Sequence, residues 1–279
     1  MEHIVVEQLE GAVLRAKIAL VRPVLDTMSS RMWQGPEPVA AYRRYLAAMY
    51  PVTRSAIPLM KLARRSCLRR VTDPLSRPVI GFLTRHIREE RGHDRWIAAD
   101  LAALGGDPAQ LARTLPSRAV ARLIGTQYQL ITAVHPVALL GCIAVLEGEP
   151  PSEELLAHVH ALTGADGAVL TLSGHAVSDV SHAQQIFALL DRLELGPWLR
   201  AVVGYSALHT ACQAAALFDE LAGEAGRSSA AGLVRITGGV DPAGLSEGEN
   251  ALLADVEQML SMLPDVVAHS GEIAGGLFL

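Results

Sequence analysis

The chain has 279 residues, half of them apolar, with a formal net charge of −5 and no basic run. This length and apolar fraction can supply a substantial core, and the acidic balance argues against nucleic acid as a partner. Cys67, Cys142 and Cys212 lie far apart and form no CxxC pair, which argues against a disulfide framework and a thiolate metal site.

Met1-Glu2-His3 lacks the basic, apolar, small-residue order of a signal peptide. The apolar stretches around 137–146 and 201–204 are too short or too interrupted to span a bilayer. The expectation is a cytoplasmic protein with no membrane span.

Ala, Leu, Arg and Glu dominate, and β-branched alternation is nearly absent, so helical periodicity fits almost throughout. The first helix is expected over Val5 to Met28, followed by a proline-flanked loop from Trp33 to Pro38. The second runs through Tyr42 and Tyr45 to about Tyr50. Pro51 and Pro58 kink or divide the next stretch, and Ala56 to Arg69 continues as helix. Asp73-Pro74 supplies an N-cap and first turn for a helix that reaches Leu104 and stops at Gly105-Gly106. Ser117 opens a helix to about Thr132, and Pro136 opens an apolar one that closes on Glu147, Gly148, Pro150 and Pro151. Ser152 caps a helix to Leu162, and Gly164 to Gly167 is a loop. Leu170 to Leu193 and Leu199 to Ala222 form two long helices. Ser228 to Ser246 is rich in Gly and Ser. Glu247 to Leu263 reads as a last amphipathic helix before a mobile tail. No linker divides the chain, so residues 1–279 are expected to form a single all-α domain.

Two of these helices repeat one spacing: His86, Glu90, His93 and again His175, Asp179, His182. On a helix of 3.6 residues per turn, positions i, i+4 and i+7 share one narrow face. Each helix would therefore aim two imidazoles and a carboxylate the same way, a donor set suited to iron, manganese or zinc. A lone histidine is more often a surface residue than a ligand, and Glu89-Glu90 could pair with the neighbouring arginines. The weight comes from the repetition, and from the small and apolar residues around His175 and Asp179, where a carboxylate is costly to bury unless paired or metal-bound. Glu147, at the end of the run Val137 to Leu146, either reaches solvent or points inward as a bridging ligand, with Glu149 as the fallback. Gln127, Tyr128 and Gln129 could line the pocket, and Tyr128 equally suits a core position.

The order Glu90-x-x-His93, Glu147, then His175-x-x-x-Asp179-x-x-His182 resembles the heme-oxygenase-like diiron oxidases. These are iron-containing redox enzymes related in fold to the TenA and PQQ-synthesis proteins. The resemblance covers about residues 40–220 and is strongest in the last motif. It implies a seven-helix bundle, here with extra N- and C-terminal helical segments. It also implies two Fe(II) ions, with occupancy that can depend on substrate, held by Glu90, His93, Glu147, His175, Asp179 and His182, and O2 as co-substrate. Where several members carry a glutamate seven residues before the first-helix histidine, this chain has His86, an additional nitrogen ligand or a partner of the ligands. The implied activity is oxidation of a C–H bond or an amine in a small organic or carrier-linked substrate, with an external electron donor left open. A homodimer is also open, with Leu199–Leu217 as either its face or a cover for the pocket. The rival readings are a heme oxygenase, a cofactor-free TenA-like enzyme that would need a nucleophilic cysteine, and a helical binding protein in which both triads are polar seams. Cys142, in its apolar run, looks inert.

Overall fold

Residues 10–34, 37–164 and 167–222 are described by the computed structural model, and among them every regular element is helical. In chain order the α-helices are α1 (Glu10–Trp33), α2 (Pro38–Leu68), α3 (Ser76–Glu89), α4 (His93–Ala103), α5 (Pro108–Leu111), α6 (Arg118–Gln129), α7 (Leu139–Leu146), α8 (Glu153–Thr163), α9 (Leu170–Leu190) and α10 (Pro197–Leu221). The expected helix over Glu247 to Leu263 lies outside the described residues.

The bundle has two large apolar clusters. One gathers Leu59, Phe82, Leu83, Leu140 and Ile186 from α2, α3, α7 and α9. The other gathers Trp33, Tyr42, Ile97, Leu172 and Leu217 from α1, α2, α4, α9 and α10. The helices α2 and α9 thus run through both clusters. The long apolar α10 is packed inside the molecule, chiefly against α1, α7 and α6, with 72% of its most apolar window buried. Most of its side chains, from Val202 to Leu221, are thus covered within one chain. Gly141 permits the close approach of α7: a Cβ there would lie 2.1 Å from the Val203 carbonyl oxygen.

Two expectations need correction. Pro51 and Pro58 do not divide α2, which runs unbroken for 31 residues. Each proline removes one backbone donor, but burial of Tyr42, Leu46, Leu59 and Met60 along the helix outweighs the roughly 3 kcal/mol typical of an interior proline. The helix expected from Asp73 to Leu104 is in fact two, because Gly92 adopts φ +93° between α3 and α4.

Ser117 and Ser152 cap α6 and α8 as expected, accepting from the Val120 and Leu155 amides. Asp73 accepts from the Leu75 amide at 3.0 Å and faces His135 Nε2, also at 3.0 Å. His135 Nδ1 in turn accepts from the Val137 amide at 3.2 Å, so this imidazole is neutral with its proton on Nε2. Burial lowers the His135 pKa, and Asp73 only partly opposes it. The unfolded chain therefore takes up a proton first as pH falls. Stability should decline as pH drops through about 6.5, where an unperturbed histidine titrates. Urea titrations of wild type and His135→Asn between about pH 5 and 7.5 test this, with the variant expected to show the flatter pH dependence.

Candidate metal centre

The break at Gly92 builds the site. On one continuous helix His86, Glu90 and His93 would point together, but the left-handed turn redirects α4. His86 stays on the last turn of α3, Glu90 caps that helix, and His93 opens the next. Glu90 thereby stands at a corner with its two oxygens facing different ways. Oε2 lies 3.1 Å from His93 Nδ1, and Oε1 lies 3.7 Å from His182 Nδ1.

Two groups of potential metal donors result. The first is His86, Glu90, Glu147 and His182, and the second is Glu90, His93 and His175. In each group the donor atoms lie within 4.8 Å of one another. In the first, one oxygen of Glu147 is approached by His86 Nε2 at 2.8 Å and by His182 Nδ1 at 2.9 Å. Glu90 is common to both groups, whereas Glu147, expected from the sequence as the bridging ligand, belongs to the first. Asp179 falls in neither group. It sits beside the first, buried, with Oδ1 3.5 Å from His182 Nδ1 and 3.1 Å from the Ser178 hydroxyl.

These residues fit a cation. His86, Glu90, His93 and His182 are all buried. His86 Nε2, Glu90 Oε1, His93 Nδ1, Glu147 Oε2 and His182 Nδ1 are buried, yet none has a well-aligned hydrogen-bond partner. Lone pairs that converge without aligned protons are what a metal ion satisfies. The electrostatics agree. Burial alone would raise the Glu147 carboxyl, but His182 and His86 outweigh it and hold the pKa at about 2. Burial opposes charge on His182, but Asp179 and Glu147 carry it up to about 10. Burial likewise opposes charge on His86, and Glu147 reverses the balance upward. Buried carboxylates this close together require positive charge, and a divalent ion can supply it in place of the imidazole protons.

The geometry of α9 is set from α4. Asp100, fully buried, accepts from the Leu170 and Thr171 amides at 2.8 and 2.7 Å and so caps the start of α9. Burial pushes this carboxyl above its ordinary range, and the bonds from Thr171 and Leu170 partly offset the shift. One turn on, His175 Nδ1 donates to the Thr171 carbonyl at 2.8 Å, so Nε2 is the ring nitrogen that could serve a metal. Trp96 stacks on His93, with ring centroids 4.0 Å apart, and meets His175 edge-on at 5.6 Å. Gly174 makes room for that indole, since a Cβ there would lie 2.6 Å from the ring. Gly174→Ala should therefore push Trp96 off His93 and weaken the Glu90–His93–His175 group. Affinity of that group for a divalent metal is expected to fall by about 10–100-fold, read by anaerobic titration against wild type.

Beside these donors lies a cavity of about 180 Å³. Its walls are apolar residues of α2, α6 and α7, among them Met49, Val52, Leu123 and Ile143, and its polar end carries Glu90, Glu147, His175 and Asp179. The expected pocket residues Gln127, Tyr128 and Gln129 do not line it. Gln127 is buried in a network with Ser206 and Thr210, Tyr128 is 38% exposed, and Gln129 lines a separate surface pocket. The α6 residues that do line the cavity, Leu123 and Ile124, sit a turn earlier. Asp100, Trp96 and Gly174 went unpredicted. The one available signal was the seven-residue step from His93 to Asp100, which puts both on one face of α4.

A family described as iron-containing redox enzyme matches residues 43–212, more than half of the chain. Among solved structures, a domain of unknown function with a heme oxygenase-like fold from Shewanella denitrificans OS217 is 19% identical, with a TM-score of 0.62 over 76% of this chain and 96% of that one. A TenA homolog from Pseudomonas syringae pv. tomato str. DC3000 is 16% identical, with a TM-score of 0.61 over 75% of this chain and 92% of that one. These likenesses show the heme-oxygenase-like all-α fold. No curated protein matches.

Proposed function

The chain belongs to the iron-containing redox enzyme family, and from that membership we propose that it is a non-heme diiron oxidase that uses O2. Two Fe(II) ions would be held by the His86–Glu90–Glu147–His182 and Glu90–His93–His175 groups, with Asp179 completing the first. The observation that carries the reading is Glu90, whose two oxygens face the two groups separately. Imidazole and carboxylate donors suit Fe(II), and iron at such a centre supplies the electrons that activate O2.

The chain's own residues supply placement. Asp100 fixes the start of α9, Trp96 and the Thr171 carbonyl orient His93 and His175, and the apolar walls from α2 and α7 exclude water from the substrate position. The cavity is smaller than the roughly 300 Å³ at which drug-sized pockets begin. Only a small molecule, or the reacting end of a larger or carrier-linked one, fits beside the donors, for oxidation at a C–H bond or an amine. An external electron donor and a cytoplasmic setting belong to the same proposal.

The TenA-like alternative without metal would need a nucleophilic cysteine. Cys142 does line the cavity, but burial pushes its thiol to about 12, so it is no thiolate near neutral pH. The test is anaerobic loading with Fe(II) followed by an O2 pulse, in wild type and in His182→Ala. Wild type is expected to bind two irons per chain and consume O2, and the variant to lose at least about 100-fold in rate. Equal O2 uptake by the variant would overturn the assignment.

A further inference from the structure

A second space adjoins the cavity from outside. It is a groove of about 620 Å³ between α1 and α9, floored by Ile18, Val145, Ala183 and Phe187. Arg15 and Arg22, both from α1, line it, and α1 lies outside the residues 43–212 matched by the family. By contrast, among the described residues no Lys or Arg lines the inner cavity. Glu149 lines both spaces, in the turn Gly148-Glu149-Pro150 that comes after the candidate ligand Glu147. Its carboxylate pairs with the Arg22 guanidinium, which also holds Asp26 at 2.8 Å. Arg15 makes no ion pair among the described residues. Its guanidinium lies over the Phe187 ring, 3.9 Å from the centroid.

We propose that this groove receives an anionic group of the substrate, a carboxylate or a phosphate, which replaces Glu149 on Arg22 and so opens the wall between the groove and the metal-side cavity. The exchange is inexpensive. Arg22 and Glu149 side chains are 36% and 58% exposed, and an ion pair so open to water contributes little stability. An incoming anion gains bidentate contact with Arg22 and the charge of Arg15, while its apolar neighbour covers the Phe187 and Val180 surface. Val180, half exposed on α9, otherwise faces water. The anion stays outside and the uncharged end is directed inward, toward the donors. Calling this ligand the substrate rests on the oxidase reading, whereas the anion site itself does not.

The test is calorimetric titration of the metal-free full chain with octanoate, octyl phosphate and 1-octanol. At least one of the two anions should bind, and octanol should bind at least about tenfold more weakly. Arg15→Gln together with Arg22→Gln should weaken anion binding by about 30-fold or more, and Glu149→Gln, which releases Arg22, should tighten it by roughly threefold. Preference for octanoate or for octyl phosphate identifies the group recognised. If neither anion binds, if octanol binds as well, or if the double arginine variant binds like wild type, the proposal fails. Fe(II) uptake is measured separately on the same samples. Anion binding that persists in a chain unable to take up iron would support the groove while defeating the oxidase reading.

Discussion

At the proposed diiron centre Glu90→Ala is expected to remove both ions, whereas Glu147→Ala removes one. Glu90 is the only residue common to the two donor groups among the described residues, and each of its oxygens faces a different imidazole. Without it, the second group is reduced to His93 and His175, and the first to His86, Glu147 and His182. Partners outside the direct ligand set commonly cost 10–100-fold in metal affinity, so loss of a shared ligand should cost at least about 100-fold at each group. Among the described residues Glu147 pairs with His86 and His182, both of the first group, so its removal leaves the other group whole. Anaerobic titration with Fe(II), read as ions bound per chain, separates the two variants. If both lose the same single ion, Glu90 does not join the groups.

Asp100→Ala should be the most destabilising substitution outside the donor set. The carboxylate is fully buried and caps α9 through two short bonds to backbone amides. Its removal strands the buried Thr171 amide and takes the partner from that of the more exposed Leu170, a cost of about 3 kcal/mol when the loss of a cap and of charge-assisted bonds is combined. For a chain of this size each kcal/mol moves Tm by about 2–4 °C, so a drop of roughly 6–12 °C is expected by circular dichroism. Asp100→Asn keeps one acceptor oxygen and should fall about halfway. Because α9 brings His175 and His182, iron affinity should fall with Tm in the same order. A Tm within about 2 °C of wild type for Asp100→Ala would mean that α9 is held from elsewhere.

The all-α architecture was legible because apolar spacing, serine caps and glycine stops agree along the chain, as at Ser117, Ser152 and Gly164. The metal-type residues were legible too, since histidines and acids repeated on one spacing stand out against an apolar background. Their division into two groups was not. The spacing argument assumes an unbroken helix from His86 to His93, and one glycine with positive φ defeats it. That Glu90 falls in both groups therefore depended on a backbone angle that periodicity does not report. The cavity walls were invisible for a related reason. Met49 and Leu123 become neighbours only when α2 and α6 pack, and nothing in either segment marks those positions from other core leucines and methionines. Asp100 was hidden because its partners are backbone amides about 70 residues away.

The junction from Glu89 to His93 is short, and short connections between helices ordinarily accept insertions and deletions. This one does not have that freedom. A helix turns about 100° per residue, so one residue gained or lost here would swing His93 and Asp100 together off their bearings. Glu90 would then face an imidazole on one side only, and α9 would lose the carboxylate that caps it. Chain length at this corner is fixed by the centre on either side of it, much as a keystone fixes the span of an arch.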